Sequence, residues 1–219
     1  MKIKMVDVSK TIRGVDVLKG IALEVDSGKV LGLQGVNGSG KTMVMRVIAG
    51  LVKPTRGSVF IDGVELGSHG DFPASIGLLI ESPAFLPHRT GLDNLRIIAR
   101  LQGGVDEVQV RDVLRRVGLD PEDRRRFSSY SLGMKQRLGI AAAFIGNPSI
   151  ILLDEPTNAL DSSGVEMVGE LIASGRDRGA ALVVASHDLT FLQSVSDDII
   201  TLAEGHIEGE VRQHEAVEF

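Results

Sequence analysis

A glycine-rich stretch carries the residues whose types and spacing most clearly indicate chemistry. Residues 29–48 read KVLGLQGVNGSGKTMVMRVI, with an apolar run before the glycines and apolar residues at helical spacing after them. Glycines allow backbone N–H groups to turn inward onto phosphate oxygens, and the following helix adds the positive end of its dipole. The pattern therefore predicts a strand, a phosphate-binding loop and a helix.

Two side chains at the end of this loop have predicted roles of their own. Lys41 can reach the β and γ phosphates of a nucleotide and assist catalysis, and the Thr42 hydroxyl is placed to ligate Mg²⁺. The alternative is a glycine-rich turn that binds nothing, which the flanking strand and helix disfavour. The predicted nucleotide-binding residues of the loop are Gly35, Val36, Asn37, Gly38, Ser39, Gly40, Lys41 and Thr42.

Three more polar residues follow apolar runs in the last third of the chain. Asp154 and Glu155 follow the run at 150–153, and His187 comes shortly after the run at 181–185. Asp154 is predicted to bind Mg²⁺, and Glu155 to polarise a water for in-line attack on the γ-phosphate. His187 would hydrogen-bond a phosphate oxygen and orient that water. The alternatives are carboxylates in an ordinary turn and a histidine with a structural role.

The arrangement of apolar runs predicts an α/β fold. Residues 1–30 read as short strands broken by Gly14, Gly20 and Gly28, which indicates an antiparallel layer, and residues 50–63 read as a turn and hairpin. A strand at 76–80 precedes a helical pattern from about 91 to 145, interpreted as an inserted helical subdomain. Strand and helix then alternate, which predicts a mostly parallel sheet covered on both faces.

A parallel sheet determines where the polar residues meet. Such sheets bind ligands at the carboxyl ends of their strands. Gly35, Glu81, Asp154 and His187 each follow a predicted strand, so we expect them to converge on one edge of the sheet.

Composition limits the classes of protein and partner. With 219 residues, 43% of them hydrophobic, the chain can form one large domain or two small ones. The lack of cysteine excludes disulfides and thiolate metal sites. A net charge of −5 gives no reason to expect a nucleic-acid partner. No apolar run has the length needed to span a bilayer, so we do not expect this chain to cross a membrane by itself.

The motifs resemble those of the nucleotide-binding subunits of ABC transporters, in the same order and over essentially the whole chain. They are GVNGSGKT at 35–42, a switch residue at 81, YSLGMKQR at 130–137, ILLDEP at 151–156, NALD at 158–161 and SHD at 186–188. The resemblance implies one ABC ATPase domain of P-loop type over 1–219. Its nucleotide-binding core would comprise 1–83 and 148–219, and its helical subdomain, with the signature motif, 84–147.

The resemblance also implies how such a domain works. Two ATPase subunits, either identical or different, would form a dimer that holds ATP and Mg²⁺ between one phosphate loop and the other subunit's signature. Asp161 would lie at the dimer seam. The dimer would drive a separate transmembrane permease from the cytoplasmic face of the membrane. The signature residues that would act on the other subunit's nucleotide are Ser131, Leu132, Gly133, Met134 and Lys135.

The sequence departs from the usual pattern of that family in the signature, where Met134 and Lys135 differ as well as Leu132, and at residues 12 and 81. Leu132 replaces the first glycine of the signature, and Ile12, 23 residues before Gly35, replaces an aromatic residue that stacks on adenine. Glu81 replaces a glutamine and would contact both ATP and the metal as a γ-phosphate sensor. With SLGMKQRLGIA at 131–141, this glutamate resembles exporters that protect bacteria against bacitracin-like and lantibiotic peptides.

The resemblance predicts a docking surface and leaves other functions open. Residues 82–95 would face the membrane subunit, and the transported substrate would be an antimicrobial peptide, a drug or a lipid-like molecule. The alternative function is a soluble ABC ATPase that acts in assembly or DNA maintenance without transport. A nucleotide-binding scaffold without turnover is disfavoured, since Glu155 and His187 are both present.

Overall fold

Two β-sheets with different strand directions form the centre of the fold. The structure is a computed structural model that describes residues 1–67, 72–73, 75–81 and 84–212. The strands are β1 (Ile3–Ile12), β2 (Val15–Val25), β3 (Val30–Gln34), β4 (Arg56–Ile61), β5 (Val64–Glu65), β6 (Ile76–Leu79), β7 (Ile150–Asp154), β8 (Ala181–Ser186), β9 (Asp198–Ala203) and β10 (His206–Arg212). The α-helices are α1 (Lys41–Ile48), α2 (Gly91–Gln102), α3 (Glu107–Arg116), α4 (Leu132–Phe144), α5 (Ser162–Asp177) and α6 (Leu189–Val195).

The N-terminal sheet is antiparallel, with strand order β2-β1-β4-β5. Its first two strands are longer than predicted, because Gly20 does not end a strand. Gly20 takes a φ of +63° at an irregularity in the β1–β2 register, and its N–H donates to the Ser9 hydroxyl. Asp62 and Gly63 form the turn between β4 and β5, both with positive φ, as the Asp-Gly dipeptide predicts.

The second sheet has the order β10-β9-β3-β8-β7-β6, and only β10 runs antiparallel to its neighbour. The last residues of its central strands lie at nearly the same level, since Gln34 pairs with Ser186, Asp154 with Ala185, and Leu79 with Leu153. The segments after β3, β6, β7 and β8 therefore begin at the same edge. This is the edge that the sequence predicted for the polar residues.

Two hydrophobic clusters pack against opposite faces of the second sheet. Ile150 and Leu152 face a cluster shared with α1 and the antiparallel sheet, whereas Ile151 and Leu153 face one shared with α2 to α6. This alternation explains why β7 is apolar at successive positions.

The helices α2, α3 and α4 are inserted between β6 and β7, which confirms the predicted α/β fold with a helical insertion. In α2, the apolar residues that set the helical spacing are Leu92, Leu95, Ile98 and Leu101. The first two are buried and Ile98 is half-buried, whereas Leu101, in the last turn, is largely exposed. No helix within the described ranges is long and apolar enough to span a membrane.

Candidate functional site

The phosphate-binding loop connects β3 to α1 in a backbone conformation that only glycines permit. A Cβ on Gly35, whose φ is +154°, would lie 2.4 Å from the Leu202 carbonyl oxygen and 2.5 Å from the Ser39 hydroxyl. Gly40, at the N-cap of α1, has a φ of +113°. The Ser39 hydroxyl is buried and has no hydrogen-bond partner among the described residues. The loop thus combines an enclosed backbone with an unpaired polar group at a helix N-terminus, which suits an anion.

The Lys41 side chain points from the start of α1 back to the backbone of this loop. Its side chain is buried, and Nζ donates to the carbonyl oxygens of Gly35 at 2.6 Å and Val36 at 3.2 Å. A cavity of about 320 Å³ lies over the loop. Its wall is formed by residues 37–42 together with Val17, Met43, Arg46, Glu81, Asp154 and Glu155. The three carboxylates predicted from the sequence, Glu81, Asp154 and Glu155, therefore share one cavity with the loop.

Asp154 and Thr42 form a compact pair of oxygen ligands. Asp154 ends β7, and its Oδ2 accepts a hydrogen bond of 2.6 Å from the Thr42 hydroxyl. Burial raises the pKa of Asp154, and the nearby negative charges of Glu155 and Glu81 add to this, while Thr42 and Lys41 oppose it. A buried carboxylate beside a hydroxyl, in an excess of negative charge, is the donor set that a hard divalent cation such as Mg²⁺ prefers. The residues present therefore fit that ion.

Glu155 lies next to Asp154 but points its carboxylate toward another partner. Its Oε2 is 2.9 Å from Nδ1 of His187, and Oε1 is buried without a hydrogen-bond partner in the described part of the chain. The Glu155 side chain is 19% exposed and the His187 side chain 65%, so the carboxylate is the inner member of the pair. A carboxylate held on one oxygen and free on the other can accept a proton from a water molecule.

The backbone of Glu155 is held in an unusual conformation. Its φ is +48°, its N–H donates to the Ala185 carbonyl at 2.9 Å, and its own carbonyl accepts from Nε2 of Gln136 at 3.1 Å. The same Gln136 amide also donates to the Pro156 carbonyl at 3.1 Å. Gln136 was missed by the sequence reasoning, because only its place in YSLGMKQR indicates a role and its target lies 19 residues away.

Glu81, the switch residue, has an unpredicted partner. Its backbone φ is +60°, and its Oε1 lies 2.5 Å from Nη2 of Arg46, a residue in the last turn of α1. Both side chains line the cavity over the phosphate loop. The sequence gives no signal for this pair beyond the opposite charges, because the two residues are 35 positions apart.

The signature residues lie outside the cavity over the phosphate loop. Ser131 is the N-cap of α4 and accepts from the Met134 N–H at 3.2 Å. The Met134 side chain packs against the core, and Lys135 lies 5.5 Å from the ring centre of Phe127. Leu132 is 72% exposed and lines a second cavity of about 600 Å³ that also borders Glu81 and Glu155. A Cβ on Gly133 would lie 3.0 Å from the Ala159 carbonyl oxygen, so this helix start and the loop after β7 are closely packed.

Two other predicted site residues are not brought to the phosphate loop. Ile12 ends β1 and is exposed, whereas Val17 of β2 lines the cavity. Asp161 is the N-cap of α5, where its carboxylate accepts from the Gly164 N–H and pairs with Arg137. These hydrogen bonds lower the pKa of Asp161.

Comparison with known proteins identifies the family of this chain. The sequence profile described as "ABC transporter" matches residues 18–158. An uncharacterized ABC transporter ATP-binding protein of Bacillus subtilis, YybJ, is 38% identical, and the match covers 94% of both chains. This chain belongs to the ABC transporter family. The family predicted from the motif order is confirmed.

The names of two further relatives of this ABC ATPase state what those proteins transport. The bacitracin transport ATP-binding protein BcrA of Enterococcus faecalis is 40% identical over 89% of this chain and 64% of its own length. This chain therefore spans less than two thirds of that protein. The lantibiotic transport ATP-binding protein SrtF of Streptococcus pyogenes is 36% identical over 94% of this chain and 88% of its own length. Both lie in the branch that Glu81 and the signature predicted.

Solved structures of ABC cassettes have the same fold. The dimeric structure of MJ0796, a bacterial ABC transporter cassette, matches with a TM-score of 0.87 at 28% identity, covering 96% of this chain and 98% of that one. A dimeric post-hydrolysis state of the same cassette, bound to ADP and Pi, matches with a TM-score of 0.86. The ABC ATPase fold and the ATPase class predicted from the sequence are confirmed.

Proposed function

We propose that this ABC ATPase hydrolyses Mg²⁺-ATP to power a membrane-spanning exporter of antimicrobial peptides, drugs or lipid-like molecules. The observation that carries the proposal is the Glu155 carboxylate, which borders the cavity over the phosphate loop together with Asp154 and is in hydrogen-bond contact with His187. The names of BcrA and SrtF support the substrate class. They also disfavour the alternative, a soluble ABC ATPase of assembly or DNA maintenance.

Binding of the nucleotide would use the loop and its two flanking side chains. The N–H groups of residues 35–42 and the N-terminus of α1 would hold the phosphates, and Lys41 would move from the Gly35 and Val36 carbonyls to the β and γ phosphates. Thr42 and Asp154 would hold Mg²⁺, with Glu81 nearby. When bound, this ion neutralises the phosphate charge that develops in the transition state.

Hydrolysis would depend on Glu155 and His187. Glu155 accepts the proton of the attacking water on Oε1, the oxygen without a partner among described residues. His187 holds Oε2 through Nδ1, which leaves its other ring nitrogen available to the γ-phosphate. His187 thus orients the base and the phosphate together.

A second ATPase subunit and a transmembrane permease would assemble with this chain into a transporter, with the ATPase subunits at the cytoplasmic face of the membrane. Ser131 to Lys135 would act on the other subunit's nucleotide, with Asp161 at the seam, and the dimeric structures of MJ0796 support such a pairing. We propose the division into a core (1–83 and 148–219) and a helical subdomain (84–147). The permease would dock on 84–95, where Leu86 is exposed and Phe85 packs edge-on against Phe127. Ser82 and Pro83, also predicted for that surface, lie outside the described residues.

Resistance of living cells tests the proposal. The gene is deleted from its source strain and returned as wild type, as Glu155→Gln, or as Glu170→Gln, which removes an exposed carboxylate of α5. We expect the deletion to lower the inhibitory concentration of bacitracin or of a lantibiotic, and wild type and Glu170→Gln, but not Glu155→Gln, to restore it. Equal inhibitory concentrations in all strains would contradict this substrate class.

A further inference from the structure

The ion pair between Arg46 and Glu81 lies on the wall of the nucleotide cavity and has no role in the chemistry described above. Arg46 belongs to α1, the helix that begins at the phosphate loop, and Glu81 follows β6. The side chains of Arg46 and Glu81 are 32% and 62% exposed, so the pair faces the cavity and its mouth. The ion pair connects α1, which follows the phosphate loop, to the end of β6, after which the helical insertion begins.

Charge explains why such a partner is needed. Among the described residues, the cavity wall carries the three carboxylates of Glu81, Asp154 and Glu155 and two cationic side chains, those of Lys41 and Arg46. A nucleoside triphosphate brings further negative charge into this space. An unpaired Glu81 would repel the phosphates, whereas a paired Glu81 presents little net charge.

Exposure explains why the pair can also separate. Ion pairs between solvent-exposed side chains are weak, because water screens them and two long side chains must be ordered. Arg46 and Glu81 can therefore part without a large cost when a divalent cation attracts the carboxylate.

We propose that Arg46 is a positioning residue that neutralises Glu81 while nucleotide enters, and that it releases this carboxylate when Mg²⁺ binds. This inference rests on the proposed function, because it concerns the same nucleotide site. It explains how a glutamate is accommodated at a position that faces a triphosphate. It assigns Arg46 a role through Glu81 and not through the stability of α1.

A double-mutant cycle on ATP binding tests the proposal without using catalysis. The variants are Arg46→Met, Glu81→Gln and the double variant, with titration calorimetry of ATP in EDTA and again in excess Mg²⁺. The matched control is Arg111→Met, which removes a 26% exposed arginine of α3 that is ion-paired to Glu107 and Glu122. Thermal unfolding of each variant checks the fold, and Arg46→Gln serves as a second substitution if Arg46→Met does not fold.

The proposal predicts a pattern across the cycle. In EDTA, Arg46→Met should weaken ATP binding about five- to tenfold, because Glu81 becomes an unpaired charge near the phosphates. The double variant and Arg111→Met should bind ATP as wild type does, to within about twofold. Excess Mg²⁺ should reduce the defect of Arg46→Met, since the cation then compensates Glu81.

Two outcomes would overturn the proposal. An unchanged affinity in Arg46→Met would mean that Glu81 needs no counter-ion. An equal loss in Arg46→Met and in the double variant would mean that Arg46 acts on the phosphates directly, or through the C-terminal dipole of α1. A wild-type protein that binds no Mg²⁺-ATP would contradict the proposed function as well, whereas normal wild-type binding with either of the first two outcomes contradicts the pairing alone.

Discussion

Asp154 lies in a position where an ionised carboxylate is expected to lower the free energy of unfolding. Asp154 is buried beside two other carboxylates, and its pKa is raised by that burial. A protein selected only for stability would not keep an ionised carboxylate there. We therefore expect the proposed Mg²⁺ ligand to destabilise the nucleotide-free protein, as many functional groups do.

This cost can be measured with Asp154→Asn. Because the folded pKa of Asp154 is raised above its unfolded value, its favourable contribution is present below the unfolded pKa and is lost as pH rises through the folded pKa. As pH rises above the unfolded pKa, the desolvated carboxylate therefore opposes folding. We expect Asp154→Asn to raise the free energy of unfolding of the nucleotide-free protein at pH 7, because the amide carries no charge to desolvate.

Urea unfolding at several pH values checks this prediction. The advantage of the variant should shrink as pH falls toward the unfolded pKa of Asp154, because the wild-type carboxyl is then protonated too. Excess Mg²⁺-ATP should stabilise the wild type more than the variant. A variant less stable than wild type at pH 7 without nucleotide would show that Asp154 stabilises the fold.

At the residue scale, the sequence predicted the motifs whose residues lie close together along the chain. The phosphate loop is recognisable because its glycines, Lys41 and Thr42 lie within one short segment whose backbone imposes residue types. The partners of Glu81 and of the Glu155 carbonyl could not be predicted. Arg46 and Gln136 reach them from distant positions through side-chain conformations that leave no periodic pattern.

At the scale of elements, α4 connects the signature to Glu155, the proposed general base. The helix begins at the Ser131 cap, and one turn later the Gln136 amide donates to the carbonyls of Glu155 and Pro156. Glu155 has a left-handed backbone conformation that must be held by its surroundings. Movement of the signature helix would therefore be transmitted to the carboxylate that is proposed to activate water.

Gln136→Leu tests this connection. The substitution keeps a similar volume but removes both hydrogen bonds, so the Glu155 backbone loses a constraint. We expect kcat for ATP hydrolysis to fall about tenfold, with KM for Mg²⁺-ATP within about twofold of wild type, because the phosphate loop is untouched.

The control for this prediction is Gln193→Leu, which removes an exposed amide on α6. It should leave kcat and KM unchanged. If Gln136→Leu hydrolyses ATP at the wild-type kcat, or loses only KM, then Gln136 does not position Glu155.

Element boundaries show where a sequence pattern is insufficient. The helices at 91–145 and the strands β7 and β8 were predicted from periodicity and apolar runs. Gly20 was interpreted as a strand break, yet it forms a bulge inside β2, because a glycine permits both conformations and only the pairing with β1 decides. Leu101 keeps the helical spacing of the apolar residues in α2 but lies beyond the part of that helix that packs on the core.

For the whole molecule, the parallel sheet accounts for the site. Its level strand ends bring the loop after β3, Glu81, Asp154 and His187 to one edge, although they are spread over most of the chain. The signature, in contrast, lines another cavity and leaves Leu132 exposed. Within one subunit the signature does not contribute to the cavity over the phosphate loop. A second ATPase subunit is the source we propose for those contacts.

ATP-dependent association of Glu155→Gln is the decisive test of the proposed ATPase mechanism. This variant should keep nucleotide binding and lose the proton acceptor, so ATP stays intact between two subunits. By light scattering, we expect a dimer with Mg²⁺-ATP and a monomer with Mg²⁺-ADP, while wild type hydrolyses ATP and returns to monomer. A variant that hydrolyses ATP as fast as wild type, or that stays monomeric with bound Mg²⁺-ATP, would contradict the account.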